Sequence, residues 1–163
     1  MPEHHAAPWK ERPSAALNHA HMPAMTTMPR TYKPVLDRLS QAGLRPTRQR
    51  LALAKLLFDG GDRHITAEQL HNEAQIANMR VSLATVYNTL HQFTGVGLLR
   101  EVVVESGRSY FDTNVSDHHH FFYEGSGRLM DIAGNGVVIS GLPEAPEGTR
   151  IARVELVIRL TDA

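Results

Sequence analysis

The sequence predicts an α+β fold, in which a helical half carrying a β-hairpin precedes a small strand-rich part. Four segments between residues 31 and 95 repeat apolar residues at the 3.6-residue spacing of helices. After residue 98 the spacing changes to the two-residue alternation of strands. With 163 residues, the chain can form one ordinary domain or two small ones.

The four predicted helices have recognisable boundaries. Gly43 ends the first helix, and Thr47 caps the start of the second. Thr66 begins the third, and Gln69 three residues later completes a capping box. Ser82 caps the fourth. Three of the four helices therefore carry a clear N-terminal signal.

A β-hairpin follows the helices. The stretches L-L-R-E-V-V-V-E and R-S-Y-F-D-T flank a turn at Ser106-Gly107. Helices followed by a two-stranded ribbon are typical of a winged helix-turn-helix. We therefore expect a winged-helix DNA-binding domain over residues 30–113 and a second, small α/β domain over residues 114–163.

Residues 1–29 are rich in Pro, Ala, Met and His without a sustained period, which predicts a flexible tail. A mobile segment loses entropy when it binds a ligand, so its histidines are expected to bind metal weakly at most. These are His4, His5, His19 and His21.

The end of the chain alternates clearly, because Val154, Leu156, Ile158 and Leu160 share one face of a strand. About fifty residues of strand with one apolar face are too few to fold comfortably alone. We therefore expect a homodimer, possibly assembled into a higher oligomer. Two-fold symmetry also suits a protein that binds two DNA half-sites.

Composition excludes several classes. Hydrophobic residues make up 42% and aromatic residues 6%, as in folded proteins, and no apolar run is long enough for a membrane helix. The N-terminus lacks the apolar core of a secretory signal, which favours a cytoplasmic location. The chain has no cysteine, so it cannot form disulfides or a Cys-coordinated structural zinc site.

Charge is unevenly distributed although the net charge is zero. Residues 30–63 hold eight Lys or Arg against three Asp or Glu, whereas residues 101–163 hold five against ten. The basic part could face a polyanion such as DNA, although chance variation of the surface explains the charge equally well.

The fourth helix and the start of the second carry the side chains expected to contact DNA. Hydroxyl and amide groups suit the major groove, where an Asn can pair with adenine. Arginines near a helix N-terminus suit phosphates, and one in the preceding loop could enter a narrow A/T-rich minor groove. An ordinary solvated face is the alternative. The predicted contacts are Arg45, Thr47, Arg48, Arg50, Ser82, Thr85, Tyr87 and Asn88.

Three consecutive histidines carry the ligand chemistry. On a strand, His118 and His120 point to one face and His119 to the other. The pair could chelate a divalent ion, or one imidazole could serve as an axial haem ligand. The residues alone leave both open.

The motifs G-L-R-P-T-R-Q-R, H-I-T-A-E-Q-L, S-L-A-T-V-Y-N-T-L, G-L-L-R-E, S-Y-F-D and the histidine run occur in order. Over residues 31–132 the chain thereby resembles the ferric uptake regulator family of dimeric transcription regulators. A-T-V-Y-N-T-L, the cysteine-free H-H-H-F-F and the terminal R-V-E-L-V-I-R-L are similar to the iron response regulator branch of rhizobia and related α-proteobacteria. That branch responds to haem and regulates haem synthesis and iron genes.

The resemblance implies that residues 114–163 form a dimerisation and ligand-sensing domain. It also implies a regulatory metal site at His64, Glu105, His118 and His120, and a haem site at His118, His119 and His120. Most relatives hold a structural zinc through C-x-x-C, but Tyr123 and Ser126 occupy those positions here. A second family site is matched only in part, at Asp117 and His119.

Two functional hypotheses follow. The first is a regulator that binds an A/T-rich inverted repeat in double-stranded DNA and loses it when haem binds. The alternative is a repressor of the same family that responds directly to Fe, Mn or Zn. An enzyme is not expected, because the sequence has no H-E-x-x-H and no Gly-rich nucleotide motif, and so no catalytic residue is predicted. A metal buffer would leave the basic half unexplained.

Overall fold

A computed structural model describes residues 32–133 and 136–162. The tail predicted over residues 1–29, with its four histidines, lies outside the described residues. The described residues belong to one compact unit. The domain boundary predicted at residue 113 falls inside that unit and stays a prediction.

Four helices open the fold, and they begin where the capping signals predict. Thr47 accepts a hydrogen bond from the backbone N–H of Arg50 at 3.2 Å, and Ser82 accepts one from Thr85 at 3.1 Å. Thr66 and Gln69 form the reciprocal capping box. The helices are α1 Lys33–Gln41, α2 Arg48–Phe58, α3 Ala67–Ile76 and α4 Leu83–Gly95.

The helices pack around one apolar core. Each helix contributes residues at helical spacing to the buried side, and strand residues complete the core. Burying aliphatic and aromatic side chains in this way stabilises the fold by roughly 1.5–3 kcal/mol for each. Fully buried members include Leu39, Leu53, Leu57, Leu70, Val86, Leu90, Phe93 and Phe111.

The first sheet has three strands: β1 His64–Ile65, β2 Arg100–Glu105 and β3 Arg108–Asp112. Its order is β1-β3-β2, with antiparallel pairing throughout. The hairpin turn between β2 and β3 is at the predicted position, and Gly107 adopts φ 79°, which favours glycine. The sheet therefore adds a wing to the helices and places His64 beside the end of β3.

The second sheet has strands β4 His119–Tyr123, β5 Arg128–Ile132 and β6 Val157–Leu160, in the order β5-β4-β6. β4 pairs antiparallel with β5 and parallel with β6. The inner face of this sheet packs Phe122 and Leu129 against Val102, Val104 and Tyr110 of the first sheet. This packing fixes the two sheets against each other.

The α+β fold class is confirmed. Among the described residues after position 113, the regular elements are strands. No helix in the described part of the chain is long and apolar enough to cross a membrane.

Candidate metal centre and nucleic-acid face

Two cross-strand pairs bring five potential metal ligands together between the sheets. In the first sheet, His64 lies directly opposite Asp112. In the second, His120 lies directly opposite Asp131, and His118 just before β4 points the same way as His120. One ligand atom from each of these five side chains lies within 4.8 Å of every other.

The closest approaches join imidazole nitrogens and carboxylate oxygens. Nε2 of His64 lies 2.7 Å from Oδ1 of Asp131. Nε2 of His118 lies 2.9 Å from Oδ2 of Asp112 and 2.9 Å from Nε2 of His120. Three imidazole nitrogens and two carboxylate oxygens therefore face a common centre.

The centre of the cluster is buried, yet several of its polar atoms have no hydrogen-bond partner. Asp112 and His120 are each 0% exposed. Nε2 of His64, Oδ2 of Asp112 and Oδ1 of Asp131 are buried without a hydrogen bond, although opposite groups lie close. Buried polar groups without partners are costly, so such a set fits a metal ion that would satisfy them. Imidazole and carboxylate ligands suit Zn²⁺, Mn²⁺ and Fe²⁺.

The electrostatics agree with this interpretation. Burial raises the pKa of the Asp112 carboxyl, but the imidazoles of His120 and His64 and the backbone N–H of Asn114 hold it well below its ordinary value. Burial lowers the pKa of His64, but the carboxylates of Asp112 and Asp131 outweigh this and raise it above 6.5. Asp112 is therefore ionised and ready to bind a cation.

Asn114 orients both carboxylates from behind. Its backbone N–H donates to Oδ1 of Asp112 at 2.8 Å, and its side-chain amide donates to Oδ2 of Asp131 at 3.1 Å. Each carboxylate thus uses one oxygen for Asn114 and turns the other toward the histidines. Supporting hydrogen bonds of this kind tune metal sites.

Glu105 does not lie in the cluster, and its role as a metal ligand stays a prediction. It ends β2 on the exposed wing, where its carboxylate lies 3.4 Å from Nη1 of Arg108. Asp112 and Asp131, which the sequence did not single out, provide the acidic groups. The aspartate at the end of S-Y-F-D was the available signal, but only the pairing of β1 with β3 places it beside His64.

The three predicted haem residues are not brought to one site. His118 and His120 face the cluster, whereas the ring of His119 accepts a hydrogen bond from the backbone N–H of Leu156 at 3.4 Å. The partly matched second family site is likewise engaged within the chain. Asp117 lies 3.2 Å from Nε of Arg153, so a guanidinium stands next to this carboxylate.

The basic side chains predicted to contact DNA lie at the start of α2. Arg45 in the preceding loop and Arg48 in the first turn are exposed, as is the N-cap residue Thr47 between them. Arg50 is different, because its guanidinium donates to Oε1 of Gln92 at 2.7 and 3.0 Å and to the carbonyl of Arg45 at 2.7 Å. Arg50 thus joins α2 to α4 and holds the Arg45 loop.

The predicted residues of α4 lie beside this group. Thr85 and Asn88 line a cleft of about 260 Å³ together with Thr47 and Arg50. Tyr87 instead donates its hydroxyl to Oε1 of Glu68 in α3 at 2.6 Å. This bond lowers the pKa of Glu68 and raises that of Tyr87.

Comparison with known proteins points in one direction. A family model described as the ferric uptake regulator family matches residues 41–158. The peroxide-responsive repressor PerR of Staphylococcus aureus (strain Mu50) is 33% identical over 93 residues, which cover 57% of this chain and 62% of the relative. The match therefore spans less than two thirds of that relative's length.

Solved structures share the fold. A ferric uptake regulator from Vibrio cholerae has a TM-score of 0.62 at 23% identity, covering 77% of this chain and 98% of the relative. One from Pseudomonas aeruginosa with manganese has a TM-score of 0.59 at 22% identity, covering 78% and 96%. A zinc-bound manganese uptake regulator has a TM-score of 0.57 at 22% identity, covering 79% and 98%.

Proposed function

The chain belongs to the ferric uptake regulator family, and from this premise we propose that it is a DNA-binding transcriptional regulator controlled by a divalent metal ion. The ion binds at the five-residue cluster of His64, Asp112, His118, His120 and Asp131. The observation that carries this proposal is the convergence of five ligand atoms, three of them buried without a hydrogen bond. As a regulator, the protein acts on DNA in the cytoplasm and performs no catalysis.

The donor set favours Fe²⁺, Mn²⁺ or Zn²⁺. Without cysteine the site offers no thiolate, which disfavours Cu⁺ and iron–sulfur clusters. Solved proteins of the same fold include one with manganese and a zinc-bound one, which supports the choice of ion class. When bound, the ion would supply positive charge that offsets the carboxylates of Asp112 and Asp131, the first buried and the second partly exposed.

The same cluster explains how a bound metal would control the arrangement of the two sheets. His64 and Asp112 belong to the sheet that adjoins the helices, whereas His120 and Asp131 belong to the second sheet. A ligand that needs both sheets favours the arrangement in which they lie together, in proportion to its differential affinity. A metal held by these residues would stabilise one orientation of α2 and α4 relative to the second sheet.

DNA recognition is proposed for the exposed start of α2 and the neighbouring face of α4. Arg45 and Arg48 are exposed and would neutralise phosphates, while Thr85 and Asn88 line the neighbouring cleft and would contact bases. We propose an A/T-rich inverted repeat as the target, because Asn pairs well with adenine.

Dimerisation is proposed through the outer face of the second sheet. Phe121 lies between Met130 and Ile158 on neighbouring strands, and this apolar row is only partly covered within the chain. A second copy would cover it and would present two DNA-binding faces to a symmetric site. A higher oligomer is the further possibility that the sequence left open.

A haem-responsive regulator of iron and haem homeostasis is the second candidate. The cysteine-free H-H-H-F-F segment and its resemblance to the iron response regulators favour it. In the structure, however, His118 and His120 are 7% and 0% exposed at their side chains and face the metal cluster. Haem ligation by these residues would require the two sheets to separate. The haem hypothesis therefore predicts a different response of DNA binding from the divalent-metal hypothesis.

The test is fluorescence anisotropy of an A/T-rich operator duplex with chelator-treated protein, titrated separately with Mn²⁺, Fe²⁺, Zn²⁺ and haem. The proposal expects DNA binding to strengthen with one of the divalent ions and to remain unchanged with haem. Tight binding by the metal-free protein that collapses with stoichiometric haem would instead establish the second candidate. No operator binding under any condition would refute both.

A further inference from the structure

A buried arginine lies behind the metal cluster. Arg100, at the start of β2, is 4% exposed. Its guanidinium donates to the carbonyl of Ser116 at 2.8 Å and to the carbonyl of His118 at 3.2 Å. It also donates to Oε1 of Glu155 at 3.0 Å. Arg100 therefore joins the first sheet, the segment that leads into β4 and the segment that leads into β6.

Glu155 places its carboxylate against the outer side of a metal-ligand histidine. Oε1 of Glu155 lies 3.7 Å from Nδ1 of His120. This nitrogen is buried and has no hydrogen-bond partner, while Nε2 of the same ring faces His118 at 2.9 Å. The imidazole of His120 thus lies between the cluster on one side and Glu155 on the other.

The chemistry of metal-binding histidines suggests what a carboxylate at this position does. An imidazole that binds a metal through Nε2 carries its proton on Nδ1, and a carboxylate beside Nδ1 fixes that tautomer and raises the basicity of the ring. The separation of 3.7 Å exceeds a normal hydrogen bond by about 0.5 Å, so a small side-chain movement closes it.

We propose that Glu155 is a positioning residue of the metal centre, which holds His120 as the Nδ1–H tautomer, and that Arg100 holds Glu155 in place. This inference rests on the proposed function, because it assigns support to the same site. The segment before β6 contributes no metal ligand, but it supports the metal centre through Glu155. A change in the packing of β6 would therefore alter the position of the His120 ring through Glu155.

The variant that tests the proposal is Glu155→Gln, which keeps the shape of the side chain and its hydrogen bond to Arg100 but removes the charge. The matched control is Glu124→Gln. Like Glu155, Glu124 is paired with an arginine, since its Oε1 lies 3.2 Å from Nη1 of Arg159 in the second sheet. Glu124 lies outside the cluster.

The first readout is Zn²⁺ affinity, measured by competition with a chromophoric chelator. We expect Glu155→Gln to weaken binding by about tenfold, at the lower end of the effect of removing a supporting group, and Glu124→Gln to leave it unchanged. Equal affinities for the two variants would overturn the inference while leaving the proposed function intact. Absence of Zn²⁺, Mn²⁺ and Fe²⁺ binding by the unaltered protein would refute the proposed function instead.

The second readout needs no metal. Imidazole ¹⁵N chemical shifts of the chelator-treated protein report the tautomer of His120 at alkaline pH. We expect mainly Nδ1–H in the unaltered protein and in Glu124→Gln, and an increased Nε2–H fraction in Glu155→Gln. A His120 that is already Nε2–H in the unaltered protein would overturn the inference. Thermal unfolding in chelator confirms that each variant is folded.

Discussion

Nε2 of His118 and Nε2 of His120 lie 2.9 Å apart, with the two rings packed edge to face at 4.5 Å between centroids. The alternation of side chains along a strand explains this pair, since residues two apart share a face. The pair becomes a candidate metal centre because His64, Asp112 and Asp131 lie beside it on other strands. The cluster is therefore a product of strand pairing as much as of the histidine run.

The ligand set can be tested by comparing two acidic residues. We expect Asp131→Asn to reduce Mn²⁺ and Zn²⁺ affinity by at least about 100-fold, because losing a supporting group alone typically costs 10–100-fold. Glu105→Gln should leave affinity unchanged, since Glu105 lies on the wing beside Arg108. Isothermal titration calorimetry measures both. A loss of affinity in Glu105→Gln and none in Asp131→Asn would instead identify Glu105 as the acidic ligand.

A second prediction concerns the orientation of the carboxylates. Asn114→Ala removes the amide that holds Oδ2 of Asp131, so we expect metal affinity to fall by about tenfold. Asn88→Ala is the matched control, because Asn88 lies on the exposed face of α4. It should weaken operator binding and leave metal affinity unchanged. A loss of metal affinity in Asn88→Ala, or none in Asn114→Ala, would contradict this division of roles.

The pKa of His64 predicts how the metal-free protein responds to pH. Because this pKa is raised above 6.5 in the folded state, protonated His64 stabilises the fold below pH 6.5. That contribution is lost as pH rises through the raised value. The free energy of unfolding in chelator should therefore fall as the pH rises above about 6.5 and through this raised pKa, as measured by urea denaturation.

The control for this pH dependence is a histidine outside the cluster. His64→Asn should abolish the His64 contribution, whereas His91→Asn, which alters a half-exposed residue of α4, should retain it. Metal binding adds a second check, since metal and protons compete for the same imidazole. Affinity should begin to weaken at a pH above 6.5 as the solution is acidified. A pH response that persists in His64→Asn would refute the assignment.

Local signals in the sequence predicted the helices well, because a cap depends on residues only three apart. The Thr66 and Gln69 capping box is an example. The histidine pair was predictable for the same reason. Asp112 and Asp131 were not, because their positions depend on which strands pair and in which register, and the sequence does not state this.

The final strand and the DNA-contact candidates show the same limit. The alternation from Val154 predicts a longer strand than β6, which spans only Val157–Leu160. Arg50 was predicted as a phosphate contact, but it meets Gln92 from 42 residues away along the chain. Such partners follow from tertiary packing and leave no mark in local periodicity.

Arg50 and Gln92 provide the last prediction. If Arg50 acts by holding α2 against α4, Arg50→Ala and Gln92→Ala should each weaken operator binding by about fivefold, as for a lost hydrogen bond of about 1 kcal/mol. The double variant should be no weaker than either single variant, because both remove the same contact. Neither should change the salt dependence of binding, whereas Arg48→Ala should reduce the log–log slope by about 1 through loss of a phosphate contact. Anisotropy titrations at several salt concentrations measure all four proteins. A reduced slope in Arg50→Ala would show that this guanidinium leaves Gln92 and contacts phosphate directly.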